Sequence, residues 1–208
     1  MAESSEHWER VYRQKGHANV SWYRPHLKQS LALIAATGVD TSARIVDLGG
    51  GASTFVDDLI ERGFRDITVV DLSQAALAVA RARVGERGAT VRWVQGDATS
   101  LELGCDAFDV WHDRAVFHFL TEPIQREAYI ARACCSLRTG GHAVIATFAP
   151  NGPQICSGLP VARYSADELQ RAFGPPFELV AEASDLHETL WGAIQSFVYC
   201  LCCKARDC

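Results

Sequence analysis

From Arg44 onward, short apolar runs alternate with stretches whose apolar residues recur at helical spacing, a pattern that restricts the chain to a parallel α/β sheet. The strand-like runs are Arg44 to Leu48, Ile67 to Asp71, Val91 to Gln95, Phe108 to His112 and His142 to Phe148, each closed by polar residues or glycine. Between them, Phe55, Val56, Leu59 and Ile60 share one helical face, as do Leu77, Ala80 and Val84, and later Ile130, Ala133 and Leu137. Parallel pairing needs such crossovers, because a tight turn cannot carry the chain back to the same end.

Ser165-Ala-Asp-Glu168 reads as a capping box ahead of Leu169 and Phe173, with Gly174-Pro-Pro as the stop. Two strands follow, Phe177 to Ala183 and Ala193 to Cys203. The stretch around His187 to Trp191 is too short for a helical crossover, so this pair is predicted to be antiparallel and to end the sheet as a hairpin. Ahead of the first strand, Leu27, Leu31 and Ile34 mark an amphipathic helix and His7 to Tyr12 a shorter one. Both could lie over the strand ends as a lid.

The 208 residues suit one domain, and 48% hydrophobic residues supply a sizeable core. A formal charge of -5 without any Lys/Arg block argues against a nucleic-acid partner. The charged N-terminus lacks the apolar core of a signal peptide, and no later stretch is long enough to span a bilayer. The expected location is therefore cytoplasmic, away from membranes. There the eight cysteines would be free thiols, with no two C-x-x-C motifs paired as in a zinc site and no metal site expected.

Val46-Asp47-Leu48-Gly49-Gly50-Gly51-Ala52-Ser53 places an acid at the end of the first strand, then a glycine turn that opens a helix. Glycines allow a ligand to approach the backbone closely. The second strand ends on Asp71, suited to ribose hydroxyls, and Gly96-Asp97-Ala98 ends the third. Carboxylates at three successive strand ends converge on the crevice where open α/β sheets bind ligands. A dinucleotide oxidoreductase is the nearest competitor. Against it, Thr54 occupies the place of the third glycine of G-x-G-x-x-G, Asp47 would crowd a pyrophosphate, and the chain ends in a hairpin.

The segments DLGGGAS, VVDLS and QGDATS, with LRTGGH before the fifth strand, resemble the motifs of class I S-adenosylmethionine methyltransferases over nearly the whole chain. The resemblance implies a Rossmann-like, doubly wound, seven-stranded sheet with a C-terminal antiparallel hairpin. It implies one methyltransferase domain over 1–208, with lid helices in 1–40 and the core in 41–208. It also implies S-adenosylmethionine as cofactor, with Asp47, Gly49 and Gly51 at the methionine end, Asp71 at the ribose, Asp97 and Ala98 beside adenine, and Leu72 among the cofactor-binding residues. Ser53 and Thr139 depart from a common glycine and proline. A narrower resemblance is to the thiopurine S-methyltransferase and tellurite-resistance branch. It rests on His7-Trp8-Glu-Arg-Val-Tyr12 with Ser21-Trp22-Tyr23, on Val110-Trp111-His112-Asp113-Arg114-Ala115, and on Tyr164 to Leu169 with Phe173-Gly174. His112 and Ala115 depart from that branch.

Methyl transfer is an in-line displacement that positioning and water exclusion can accelerate without a metal. His112, Asp113 and Arg114 are predicted to follow the fourth strand and face the acceptor or cofactor; they are the candidate catalytic residues. Tyr12 and Trp22 are candidates to cover the sulfonium, and Tyr23, His118, Cys156 and His187 to line the acceptor site. Cys156 with a tail cysteine of the Cys200, Cys202, Cys203 and Cys208 cluster could capture a metalloid. Cys134 and Cys135 are assigned packing. The expected reaction is methyl transfer to a small acceptor, favouring a thiol, selenol or metalloid. A protein lysine methyltransferase and a non-catalytic S-adenosylmethionine-binding module are the alternatives.

Overall fold

A computed structural model describes residues 2–15 and 20–205. Seven strands form one sheet in the order β3-β2-β1-β4-β5-β9-β8. These are β1 (Arg44–Leu48), β2 (Asp66–Asp71), β3 (Arg92–Gln95), β4 (Phe108–Arg114), β5 (Leu137–Phe148), β8 (Phe177–Glu188) and β9 (Ile194–Lys204). The first five pair in parallel; β9 runs antiparallel to both β5 and β8. The order reverses between β1 and β4, and that switch opens a crevice at the strands' C-terminal ends.

The crossovers are α3 (Phe55–Glu61), α4 (Gln74–Val84) and α5 (Pro123–Ser136), with α6 (Ala166–Phe173) leading into the final hairpin. Both halves of the α6 capping box are made: Ser165 Oγ accepts from the Glu168 amide, and the Glu168 carboxylate accepts from the Ser165 amide. A second box, Glu122 with Gln125, starts α5. Each sheet face carries its own core. Ile45, Phe55, Val110, Phe148 and Phe197 lie in one; Val46, Trp111, Tyr129, Phe173 and Cys200 lie in the other.

Helix α1 (Ala2–Lys15) is longer than the aromatic spacing foretold, and α2 (Lys28–Ala36) follows Leu27. A two-residue ladder, β6 (Ile155–Cys156) with β7 (Leu159–Pro160), interrupts the loop after β5. β4 runs two residues past His112, so His112, Asp113 and Arg114 are strand residues with alternating sides rather than a loop after it.

The expectation of eight free thiols fails at Cys105 and Cys135, which form a disulfide with Cα atoms 4.7 Å apart. The Asp106 amide bonds to the Cys135 carbonyl at 2.8 Å and brings the loop before β4 against the end of α5, a proximity that no local pattern announces. Cys135 is thus more than a packing residue. The free thiols among the described residues are Cys156, Cys200, Cys202 and Cys203. No described helix is long and apolar enough to cross a membrane.

Candidate functional site

Asp47 lies at the end of β1, Asp71 ends β2 and Asp97 follows β3 by two residues, with the glycine turn directly after β1. Gly49 has φ +66°, and a Cβ there would lie 2.2 Å from Val116 Cγ2; one at Gly51 would lie 2.3 Å from Asp71 Oδ2. Side chains at these positions would fill the cradle.

Asp47 is 2% exposed. Its Oδ1 accepts from His112 Nδ1 at 2.7 Å, whereas Oδ2 is buried with no partner. A buried carboxylate oxygen left unpaired is costly, and a cationic ammonium in the cradle would satisfy it. Asp71 is also buried. Burial, with the Asp47 charge adding, pushes its carboxyl up to about 7 against the Ser73 and Gly51 amides that hold the ionised form. Asp97 Oδ1 accepts from the Thr99 amide and hydroxyl at 2.8 and 2.6 Å, fixing the loop that carries Ala98.

A cavity of about 230 Å³ is lined by Trp8, Tyr12, Trp22, Asp71, Leu72, Asp97 and Ala98. Phe119, Phe148, Phe197, Cys156 and Arg114 also line it. A smaller cavity of about 40 Å³ adjoins Asp47, Gly49, Tyr12, Trp22, Tyr23, His112 and Arg114. Trp22 Nε1 donates to the Tyr12 hydroxyl at 3.3 Å, and Trp8 packs edge-on against Trp22 and Phe119. Trp8, Tyr12, Trp22 and Phe119 form an aromatic wall. Burial holds the Tyr12 phenol well above its ordinary value, so it stays neutral.

Arg114 borders both cavities. Nε donates to the Tyr199 hydroxyl at 3.1 Å and Nη1 to the Trp22 carbonyl at 3.2 Å, while Nη2 is buried without a partner. Its guanidinium carbon stands 4.4 Å from the Phe197 ring centroid. Phe197 reaches the site because β9 pairs Phe197 with Phe148 across β5.

Asp113 lies on the sheet face opposite His112, accepting from the Val116 and Phe117 amides at 2.8 and 3.0 Å and from the Tyr129 hydroxyl at 2.5 Å. Those bonds hold the turn after β4. Burial raises its carboxyl to about 6 despite them. His118 is fully buried, with its ring 4.7 Å from Phe148, no partner on either nitrogen and a pKa pulled down to about 3 by burial and Arg114. It is neutral and borders neither cavity. His187 accepts from Arg24 Nε at 2.8 Å and donates to the Ser21 carbonyl at 2.5 Å. Both ring nitrogens are thereby committed to anchoring the lid segment on β8.

Burial pushes the Cys156 thiol up to about 12, so it faces the cavity protonated. Cys200 and Cys202 belong to the core on the other face of the sheet, which separates them from Cys156. Cys208 lies outside the described residues. No cluster of metal-ligating side chains occurs among the described residues.

Residues 45–141 match the family model described as a methyltransferase domain. The zebrafish EEF1A lysine methyltransferase 2 is 25% identical over 98% of this chain and 88% of its own length. A structure solved in work on the conversion of a disulfide bond into a thioacetal group during echinomycin biosynthesis superposes with a TM-score of 0.76. It is 19% identical and covers 98% of this chain and 94% of that one. The Burkholderia thailandensis 1,6-didemethyltoxoflavin-N1-methyltransferase, solved with bound 1,6-didemethyltoxoflavin and S-adenosylhomocysteine, has a TM-score of 0.66. It is 23% identical over 98% of this chain and 85% of that one. The match to a methyltransferase domain over residues 45–141 falls on the glycine-turn half of a Rossmann-like sheet. The chain is a S-adenosylmethionine-dependent methyltransferase, and the paired glycine cradle and orphaned Asp47 oxygen fit that cofactor.

Proposed function

We propose that the chain methylates a small acceptor through a soft nucleophile, a thiolate or its heavier analogue. The observation that carries this reading is Arg114 in the wall of the large cavity, its Nη2 buried without a partner and its guanidinium beside the Phe197 ring. A fixed cation there favours an anionic nucleophile and opposes an ammonium. A hydroxyl acceptor would need a base. The histidines available are fully bonded, as His112 and His187 are, or sealed from the cavity, as His118 is. A thiol needs no enzymatic base to supply thiolate at neutral pH.

In this reading Asp47 receives the cofactor's ammonium beside Gly49 and Gly51, Asp71 receives the ribose hydroxyls, and Leu72, Asp97 and Ala98 flank the adenine. Tyr12 and Trp22 cover the sulfonium and exclude water. The bound cofactor supplies an electrophilic methyl group; the chain positions the acceptor and keeps Arg114 facing it. Cys156 contributes a neutral wall, in keeping with organic thiols more than with metalloid capture. The aromatic lid and the strand-four segment around Arg114 fit the thiopurine and tellurite branch, and the sulfur chemistry named for one structural neighbour fits the same preference.

A second reading, methylation of a protein lysine, is favoured by the likeness to the zebrafish enzyme along nearly the full chain. A panel of thiols, selenols, arsenite-thiol adducts, matched phenols, amines and a lysine-bearing protein, assayed with radiolabelled cofactor, separates the two. Transfer to aromatic or heterocyclic thiols ahead of phenols and amines is expected. Label appearing only on protein would replace this reading with the second.

A further inference from the structure

The register of the sheet sets Asp47 of β1 directly beside His112 of β4. On one side of this pair lies the glycine turn; on the other lies α2, whose Ser30 is fully buried. The His112 Nε2 to Ser30 Oγ distance is 2.8 Å, and Nδ1 to Asp47 Oδ1 is 2.7 Å. Since a carboxylate only accepts, Nδ1 carries a proton and donates to Asp47, and in a singly protonated ring Nε2 then accepts from the Ser30 hydroxyl. The ring lies 4.1 Å from that of Phe55 and is 1% exposed. With both nitrogens committed, His112 cannot serve an acceptor as a base.

We infer that Ser30 and His112 are positioning residues for the cofactor, a buried relay that turns Asp47 so that Oδ2 faces the glycine cradle. The relay fixes one carboxylate oxygen and leaves the other unpaired. That arrangement makes sense when the remaining oxygen meets a cationic group. Helix α2 follows Trp22, Tyr23 and Arg24 by a few residues, so the same relay ties the lid segment to the methionine end of the site. The inference concerns the cofactor and stands whichever acceptor is correct.

The test compares His112→Leu, His112→Asn and Ser30→Ala by calorimetric S-adenosylhomocysteine binding, KM against kcat, and thermal midpoint. Asn offers an N–H close to the place of Nδ1, whereas Leu offers none. Leu is expected to weaken binding by about tenfold or more and to raise the cofactor KM with kcat largely kept, and Asn to recover most of the affinity. Ser30→Ala should give a smaller loss of about threefold. Nitrogen-15 spectra of the His112 imidazole in the unaltered protein should show a proton on Nδ1, a readout independent of the stability of any variant. Equal loss of thermal stability in the Leu and Asn variants with unchanged cofactor affinity would reduce His112 to packing, and a ring without a proton on Nδ1 would overturn the relay.

Discussion

At the scale of residues, Asp71 shows how burial prepares a carboxylate for a ligand. Its pKa of about 7 means that the ligand-free protein holds it substantially protonated near neutrality. Two ribose hydroxyls donating to it would favour the ionised form, so cofactor affinity should rise with pH through neutrality and level off above it. For the fold the sign is opposite. The pKa is raised, so the stability associated with the neutral carboxyl is complete below the unfolded value and is lost as pH rises through about 7. Asp71→Asn should therefore weaken S-adenosylhomocysteine binding by about 1.5–3 kcal/mol and abolish its pH dependence, while raising the thermal midpoint above neutral pH. Calorimetry across neutrality reads the first effect and thermal melts the second. A pH-independent affinity in the unaltered protein would remove Asp71 from the ribose.

Among the elements, α1 and the segment before α2 are held by anchors far apart in sequence. Glu9 of α1 accepts from Ser73 Oγ at 2.7 Å and from the Ala75 amide at 3.1 Å, so a lid carboxylate completes the N-terminal cap of α4. Arg24 pairs with Asp185 at 3.1 Å and reaches His187, and Thr54 donates to the Arg24 carbonyl at 2.8 Å. Removing the cap contact with Glu9→Ala should cost about 1 kcal/mol of lid closure. Exchange in the described part of 2–15 should then quicken, and it should slow again on cofactor addition. Equal exchange with and without cofactor would make the aromatics packing residues alone. The three carboxylates were legible in the sequence because each closes an apolar run and strand ends gather at one edge. The role of His112 was not, since it depends on the β1–β4 register, nor was that of Phe197, which reaches the cavity only through the β5–β9 pairing. Arg24 and His187 are 163 residues apart, beyond any local pattern.

Across the whole molecule, the two ends of the sheet carry different tasks. The cavity, the glycine turn and the lid gather at the C-terminal ends of the parallel strands, while the Cys105–Cys135 bridge lies where β4 and β5 begin. The bridge closes a loop with a sequence separation of 30 residues that contains β4, the turn held by Asp113 and most of α5. In the chain-entropy account a loop of this length constrains the unfolded state by roughly 3–4 kcal/mol, provided the native geometry is unstrained. Reduction, or Cys105→Ser, should therefore lower the thermal midpoint by several degrees. The cradle carboxylates and Arg114 keep their partners without it, so S-adenosylhomocysteine affinity below the new transition should stay within about twofold, a change smaller than one neutral hydrogen bond. Parallel melts and calorimetric titrations with and without reductant test both parts. A loss of affinity at unchanged stability would show that the bridge shapes the cavity through β4, whereas a lower midpoint at constant affinity would place its contribution in the fold alone.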